Sequence, residues 1–360
     1  MIPFIDLKAQ YKPIEKNIRK RLDAVLEHGR YILGPEIEEL ENELSQYLGV
    51  KHSIACSSGT DALVMALMAL DIKEDDEVIV PDFSFFGTAE VIELVKGKVV
   101  FADIDPDTYN LDPKSFESKI TSKTKAVMPV SLYGLCADYD QINSIAAKHN
   151  IAVIEDGAQS FGASYKNKKS LNLTSIGCTS FFPSKPLGAY GDAGAVFTND
   201  DKLADELRKI RMHGENGRYN HERVGLNARI DSFQAGILIE KLAIFDKELE
   251  LRQEVAHRYQ EALSGVVKLQ KIPSDYVSAY AQFTVAVENR DSFIQKMTEK
   301  SVPTAIHYPK PMSQQTFYNN KYEAQPLSLE ASTKVVSLPF YPYLKVEDQL
   351  KVIEAVKQSI

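Results

Sequence analysis

The sequence predicts an α/β protein with a mostly parallel central sheet. Between residues 51 and about 198, short apolar runs rich in β-branched residues alternate with longer stretches of helical periodicity. Strand, helix and strand at this spacing are typical of right-handed crossovers, which build a parallel sheet covered by helices on both faces. The length of 360 residues corresponds to roughly two domains at about 150 residues each. We therefore expect a large α/β domain and a smaller second one.

The elements of the large domain follow from this alternation. The apolar runs predict strands over 52–56, 78–81, 98–102, 125–130 and 151–155. The amphipathic stretches between them predict helices over 60–70, 88–95 and 139–149.

The C-terminal third has a different pattern. Residues 231–263 carry apolar residues at helical spacing with no proline and a single glycine, which predicts one long helix or two in succession. We expect this stretch to connect the domains, with residues 1–245 forming an N-terminal segment and the large domain and residues 246–360 a smaller α+β domain. Segments rich in Pro and Tyr at 306–311 and 338–343 predict loops over a rigid scaffold, where binding residues often lie.

Composition and charge exclude several classes of protein. The chain has 42 basic and 50 acidic residues, a net charge of −8, without a basic stripe interleaved with aromatic residues, so we expect no nucleic-acid partner. The N-terminal residues become charged too early for a signal peptide, and the longest apolar run is too short to span a bilayer. Cys56, Cys136 and Cys178 form no C-x-x-C pair, which is typical of a reducing compartment. We expect a soluble, cytoplasmic protein that does not bind membranes.

Common cofactor and metal motifs are absent from the sequence. No G-x-G-x-x-G follows the first predicted strand, and no G-x-x-x-x-G-K-[ST] occurs. His213 and His221 stand eight residues apart, and no H-x-x-x-H spacing is present. We therefore expect neither a dinucleotide site, nor a P-loop, nor a metal site.

Polar residues follow two of the predicted strands. The segment 57–61 (SSGTD) opens a helix, where free backbone N–H groups and hydroxyls can hold a phosphate, although such residues are also ordinary helix caps. Asp156 follows the strand 151–155, at the edge where open α/β sheets bind ligands. A carboxylate at that position can equally cap the next helix.

A lysine and a phenylalanine complete the candidate set. Lys185 lies between two prolines and ahead of three spaced glycines, on a stiff turn. A lysine partly removed from water has a depressed pKa and can form an imine, whereas most lysines are solvated surface charges. Phe85 follows the strand 78–81 and can cover a planar ring or belong to the core.

These four sites match the needs of one cofactor. Pyridoxal 5′-phosphate requires a phosphate cup at a helix N-terminus, a carboxylate for the pyridine nitrogen, a lysine and a flat apolar wall. The sequence therefore predicts a pyridoxal phosphate site.

The chain resembles the DegT/DnrJ/EryC1/StrS family of sugar aminotransferases, which have the type I fold of pyridoxal phosphate-dependent aminotransferases. The matching segments occur in family order along nearly the whole chain. They are residues 4–7 (FIDL), 34–36 (GPE), 58–63 (SGTDAL), 155–162 (EDGAQSFG), 180–194 around Lys185 and 227–231 (NARID).

The resemblance implies a role for each matched residue. It implies that Lys185 forms the imine with the cofactor, which alternates between pyridoxal and pyridoxamine 5′-phosphate, and that Asp156 pairs with the pyridine nitrogen. Gln159 would lie near the ring hydroxyl and Phe85 against the ring face. The phosphate would be held by Gly59, Thr60 and Ser180, joined by Asn227 from a partner subunit. A homodimer with shared active sites is therefore implied.

The resemblance also implies the reaction. Some relatives that dehydrate sugars have histidine where this chain has Lys185, so lysine favours transamination from L-glutamate, with 2-oxoglutarate as product, to a nucleotide-linked keto sugar. Segments 129–138, 178–185 and 303–309 resemble a subgroup that aminates UDP-2-acetamido-2-deoxy-3-oxo-D-glucuronate. Such enzymes serve the synthesis of diacetamido uronic acids in bacterial surface polysaccharides.

A uronate carboxylate requires a cation, which makes Arg229, His307 and Tyr308 candidate substrate contacts. Arg229 can instead form a salt bridge at an interface. Two alternatives remain open: an aminotransferase for another UDP- or dTDP-linked 3- or 4-keto sugar, and a non-catalytic regulator with the same fold.

Overall fold

The computed structural model describes residues 2–360 and contains twelve α-helices and thirteen strands within that range. The helices are α1 Leu7–His28, α2 Pro35–Leu48, α3 Gly59–Ala69, α4 Gly87–Leu94, α5 Pro113–Ser118, α6 Tyr139–His149, α7 Asp201–Arg211, α8 Ser232–Leu242, α9 Phe245–Leu263, α10 Arg290–Glu299, α11 Pro326–Lys334 and α12 Val346–Lys357. The strands are β1 His52–Cys56, β2 Glu77–Pro81, β3 Lys98–Ala102, β4 Thr124–Val127, β5 Ala152–Asp156, β6 Ser164–Tyr165, β7 Lys168–Lys169, β8 Ile176–Ser180, β9 Gly194–Thr198, β10 Lys268–Leu269, β11 Tyr276–Val277, β12 Phe283–Ala286 and β13 Val335–Leu338.

The central sheet has seven strands in the order β1-β9-β8-β5-β4-β2-β3. The neighbours from β8 to β3 all pair in parallel, and β9 runs antiparallel to both β1 and β8. This topology confirms the predicted α/β class with a mostly parallel sheet. Because β2, β5 and β8 are parallel, their carboxyl ends at Pro81, Asp156 and Ser180 lie at one edge of the sheet.

In the central sheet, one predicted strand is too long and two strands were missed. The strand predicted over 125–130 ends at Val127, two residues before Pro129, which has no N–H to donate to the ladder. The missed strands, β8 and β9, flank the turn that carries Lys185.

The helices begin and end at residues with clear capping chemistry. Asp6 accepts hydrogen bonds from the backbone N–H groups of Lys8 and Ala9 at the start of α1, and Gly29 ends the helix with a left-handed φ of 68°. The 231–263 stretch forms two helices in succession, since α8 ends at Leu242 and α9 begins at Phe245. None of the helices in residues 2–360 is long and apolar enough to cross a membrane.

The buried apolar residues form separate cores along the chain. The largest packs α3, α4 and α7 against the central sheet. Another consists of residues from 255 to 356 together with Ile2, and it includes the three-stranded sheet β10-β12-β13. A separate C-terminal core is compatible with a smaller second domain, and the division at residues 245 and 246 stays a prediction.

Candidate active site

The carboxyl ends of the parallel strands open into a cavity of about 480 Å³. Most of the residues singled out in the sequence line it. They are Gly59, Thr60, Phe85, Asp156, Gln159, Ser180, Lys185, His307 and Tyr308. Asn227 and Arg229 are not among the lining residues of the same chain.

Lys185 enters the cavity from a closed turn between β8 and β9. The backbone N–H of Ala189 donates to Phe181 at 2.7 Å, and that of Lys185 donates to Phe182 at 2.9 Å. The amine has no hydrogen bond to residues 2–360 and lies where burial lowers its pKa, with the Asp156 charge acting in the opposite direction. A lysine amine with a lowered pKa is more often neutral and can act as a nucleophile or base.

Asp156 ends β5 and is 4% exposed. Thr88 Oγ1 donates to its Oδ2 at 2.8 Å, and the Ala158 N–H donates to its Oδ1 at 3.2 Å. Burial raises the pKa of this carboxyl, whereas the two donors and the Lys185 charge lower it. A buried carboxylate held in this way is suited to pair with a protonated ring nitrogen.

The start of α3 forms an anion-binding cup. Ser58 caps the helix by accepting from the Asp61 N–H, so the capping interpretation is correct for this residue. Gly59 and Thr60 follow as the first helical residues, whose N–H groups have no acceptor within a helix. A Cβ on Gly59 would lie 2.5 Å from Ser180 Cβ, so glycine lets the helix end approach the Ser180 hydroxyl. The cup therefore fits a phosphate group.

Aromatic and amide side chains form the walls. Phe85 is 57% exposed, which contradicts the core interpretation, and its ring centroid lies 6.1 Å from that of Tyr308. Gln159 accepts from the Tyr133 N–H at 2.8 Å and donates to Tyr308 Oη at 3.3 Å, so its amide is fixed. The cup, the carboxylate, the lysine and this wall together fit pyridoxal phosphate.

His307 and Tyr308 reach the cavity on a loop from the C-terminal part of the chain. Ser337 Oγ lies 2.8 Å from His307 Nδ1, and the Tyr133 hydroxyl donates to the His307 carbonyl. Burial, and to a lesser extent the Lys185 charge, lowers the pKa of His307 to about 4, which keeps the imidazole neutral near pH 7. Burial also raises the pKa of the Tyr308 hydroxyl.

Two carboxylates at strand ends fix the segment that follows this loop. Buried Asp82, just after β2, accepts from the Ser313 N–H at 2.7 Å and from the Gln325 N–H at 2.9 Å. Asp103, after β3, accepts from the N–H groups of Leu327 and Ser328 at the start of α11. These bonds attach the C-terminal segment to the edge of the sheet that forms the cavity.

Asn227 and Arg229 lie on an extended segment beside the cup. Ala228 and Ile230 are each 1% exposed, whereas Asn227 is exposed and Arg229 half-buried. The Ala228 carbonyl accepts from the Ser57 N–H at 3.1 Å. Alternate residues of an extended segment face opposite sides, so Asn227 and Arg229 lie on the side turned away from the core of their own chain.

The sequence reasoning missed several lining residues. The sequence analysis assigned Thr88 only to a helix. The single sign that Thr88 lines the cavity is its place in the first helical turn of α4, directly after Phe85. Gln282, the residue before β12, also lines the cavity, and no sequence motif indicates this role. In residues 2–360 no three His, Cys, Asp or Glu side chains are grouped as a metal site would require.

Comparison with known proteins agrees with this geometry. Residues 12–357 match the DegT/DnrJ/EryC1/StrS aminotransferase family. A UDP-2-acetamido-2-deoxy-3-oxo-D-glucuronate aminotransferase of Pseudomonas aeruginosa is 52% identical over 345 residues, 96% of each chain.

Solved structures extend the comparison. A DegT DnrJ EryC1 StrS aminotransferase from Brucella abortus is 43% identical, with a TM-score of 0.97 over 99% of each chain. A Bacillus subtilis protein solved with bound pyridoxamine phosphate is 31% identical, with a TM-score of 0.93 over 99% of this chain and 85% of that one. These similarities confirm the predicted type I fold.

Proposed function

The chain belongs to the DegT/DnrJ/EryC1/StrS aminotransferase family, and we propose that it moves the amino group of L-glutamate to the 3-keto group of UDP-2-acetamido-2-deoxy-3-oxo-D-glucuronate. The observation that carries the chemistry is an unbonded, desolvated Lys185 amine facing buried Asp156 in one cavity. The choice of substrate rests on the 52% identity to the Pseudomonas aeruginosa enzyme.

The cofactor of this family is pyridoxal 5′-phosphate, which supplies an electrophilic carbonyl for amines and a sink for electrons. In this chain the N–H groups of Gly59 and Thr60 and the Ser180 hydroxyl would hold its phosphate. Asp156 would keep the pyridine nitrogen protonated, Gln159 would bind the ring hydroxyl, and Phe85 would cover the ring.

Lys185 has two tasks in this proposal. Its Nζ attaches the cofactor and, once the amino donor has displaced it, moves a proton at the amino-bearing carbon of the donor. Burial lowers the pKa of this amine, so that it is more often neutral and able to accept a proton. Thr88 and the Ala158 N–H hold the Asp156 carboxylate, which keeps the electrostatics constant while the proton moves.

Charge balance favours a second subunit at the site. The charged side chains that line the cavity of one chain are Lys185, Asp156 and Asp192, and His307 is neutral. The cofactor phosphate, the glutamate carboxylates and the uronate are all anions and need further cations. We propose that a homodimer completes the site: one subunit supplies the amide of Asn227 to the phosphate and the cation of Arg229 to the uronate of the other, beside His307 and Tyr308.

The setting of the reaction follows from the proposed substrate. A diacetamido uronic acid linked to UDP is a precursor for bacterial surface polysaccharide, such as the O-antigen of lipopolysaccharide. We propose that the enzyme works as a dimer in the cytoplasm, where nucleotide sugars are made.

The visible absorbance of the cofactor-loaded protein tests this function. We expect L-glutamate to bleach the band of the lysine-bound cofactor and UDP-2-acetamido-3-oxo-glucuronate, generated in place, to restore it. Bleaching without recovery would keep the aminotransferase and discard this sugar. A protein without the band would overturn the role of Lys185.

A dTDP-linked keto sugar is the nearest alternative substrate. A dTDP-3-amino-3,6-dideoxy-alpha-D-galactopyranose transaminase of Aneurinibacillus thermoaerophilus is 39% identical over 360 residues, 99% of each chain. The proposed uronate substrate carries a carboxylate, and a dideoxy galactopyranose has none.

Arg229→Ala distinguishes them. A hydrogen bond to a charged group is worth about 1.5–3 kcal/mol, so we expect KM for the uronate to rise roughly tenfold or more, with KM for a neutral keto sugar changed less than about twofold. Steady-state kinetics with both sugars measures this, and equal losses would contradict the carboxylate contact.

A regulator with the same fold is the alternative of a different class. A relative from Geobacillus stearothermophilus named Pleiotropic regulatory protein is 39% identical over 364 residues, 99% of this chain and 98% of that one. The presence of Lys185 and Asp156 in the cavity favours an enzyme. A loaded protein whose absorbance does not respond to glutamate would favour the regulator.

A further inference from the structure

A second lysine of this chain is almost completely buried and has no part in the mechanism above. Lys241, in the last turn of α8, is 1% exposed. Its Nζ donates to the carbonyl oxygen of Gly188 and lies 5.0 Å from the ring centroid of Tyr190. Burying an amine is costly unless it is paired, so this position requires an explanation.

The acceptor belongs to the turn that carries Lys185. Residues 181–189 form a closed unit, because Ala189 N–H donates to the Phe181 carbonyl at 2.7 Å. A Cβ on Gly188 would lie 2.6 Å from the Pro183 carbonyl oxygen, so the turn is packed against itself at this point. A contact at Gly188 is therefore transmitted to Lys185, three residues away.

A buried charged cluster on α9 acts electrostatically on Lys241. Glu248 on α9 is 1% exposed, and its two oxygens accept from Gln10 of α1 at 2.6 Å and from the Tyr343 hydroxyl at 2.8 Å. Arg252, one turn further along α9, donates to the Tyr280 carbonyl at 3.0 Å.

The hydrogen bonds of Glu248 and Arg252 connect α9 to the C-terminal core. Tyr280 belongs to that core and Tyr343 packs against it. Burial lowers the pKa of Lys241 to about 8 and that of Arg252 to about 10, and the Glu248 charge acts in the opposite direction on both. The Glu248 charge therefore favours the charged form of both side chains.

We propose that Lys241 is a positioning residue for Lys185: its ammonium fixes the Gly188 carbonyl and so anchors the Lys185 turn to α8. This inference rests on the proposed function, because it concerns the same Lys185. Lys241 touches neither the cavity nor any of its lining residues by hydrogen bond, so it acts only through the turn.

Lys241→Met tests the proposal, with Lys241→Arg as the conservative variant. Without the anchor the turn admits water to the Lys185 nitrogen, which favours its protonated form and raises its pKa, both as the free amine and as the imine that attaches the cofactor. We expect the absorbance titration of the loaded protein, without any sugar, to shift upward by about half a pH unit or more, a threefold change in proton affinity. The rate of bleaching by glutamate should fall roughly tenfold, with a change of less than about twofold in the KM for glutamate. Lys241→Arg should restore both.

Lys169→Met is the matched control. Lys169 is also a partly buried lysine, 3.2 Å from the ring centroid of Tyr47, and does not contact the Lys185 turn by hydrogen bond. Its variant should lose some thermal stability and keep the wild-type titration. A Lys241→Met protein that behaves in the same way would overturn the proposal.

A second variant and a second measurement also test the role of Lys241. If Lys241→Met does not fold, Lys241→Gln replaces it, and a wild-type titration midpoint in that variant overturns the proposal. Reductive methylation of Lys185 in the cofactor-free protein gives a second measurement, and we expect its pH profile to shift in the same direction. Failure of the proposed sugar substrate leaves both readouts unaffected, so the two failures are distinguishable.

Discussion

The cavity around Lys185 and the cluster around Lys241 each hold a lysine with a carboxylate nearby, but only the first lysine is free to react. The Lys185 amine makes no hydrogen bond within residues 2–360, whereas the Lys241 amine is bonded to Gly188. Burial lowers the pKa of both amines. A lowered pKa therefore does not identify the nucleophile, which requires an unbonded amine that faces an open cavity.

The two carboxylates differ in the same way. Glu248 is satisfied by two side-chain donors from separate parts of the chain, which makes it a structural link. Asp156 is held by Thr88 and by the Ala158 N–H and still lines the cavity. The Glu248 carboxylate is hydrogen-bonded within the protein, whereas the Asp156 carboxylate also faces the cavity and is left for a ligand.

The largest expected effect comes from Lys185→Ala. Without this amine the cofactor has no covalent attachment, and we expect the visible band and turnover to be lost while Lys241→Arg keeps both. Absorbance and mass spectrometry of the borohydride-reduced protein measure the attachment. A band that persists in Lys185→Ala would move the attachment to another lysine, such as 166, 168 or 169.

Asp156→Asn should have the next largest effect. Loss of a preorganised charge at the reacting group costs about 10²–10³-fold in kcat, and we expect this loss in the glutamate half-reaction, measured by stopped-flow absorbance.

Glu248→Gln is the matched variant from the cluster. It replaces a buried carboxylate that accepts two side-chain hydrogen bonds, which costs about 1–3 kcal/mol in the free energy of unfolding, measured by urea denaturation. Equal kinetic losses in both variants would remove the distinction between the two regions.

The smallest effect concerns His307 and pH. The folded protein holds the imidazole pKa at about 4, below its usual value of 6.5, so the unfolded state binds a proton that the folded state excludes. Stability is therefore fully present above pH 6.5 and is lost as the pH falls towards 4, by at most about 1.4 kcal/mol per pH unit. Between pH 6.5 and 4.5 we expect the Tm of His307→Gln to fall less than the Tm of the wild type, as measured in thermal scans. Parallel curves of Tm against pH for the two proteins would contradict a neutral His307.

Much of the fold and of the cavity floor could be predicted from the sequence. The strands that end at or near residues 56, 81 and 156 were predicted from apolar runs of the right length. The parallel pairing then brings the polar residues at and after these strand ends to one edge of the sheet. Lys185 was recognisable from its prolines and glycines. The strands on both sides of it were missed, because β8 (IGCTS) and β9 (GAVFT) contain glycine and small residues that weaken the strand pattern.

The sequence by itself determined the residues whose role depends on local structure: the cap and cup at the start of α3, the carboxylate at the end of β5 and the lysine on its turn. Only the tertiary structure showed that Thr88 holds Asp156, that Asp82 and Asp103 fix the segment after His307 and Tyr308, and that Lys241 reaches Gly188. The physical reason is separation along the chain. Capping and strand alternation act over a few neighbouring residues, whereas these contacts join groups 53 to 243 residues apart, and they form only once the core has packed.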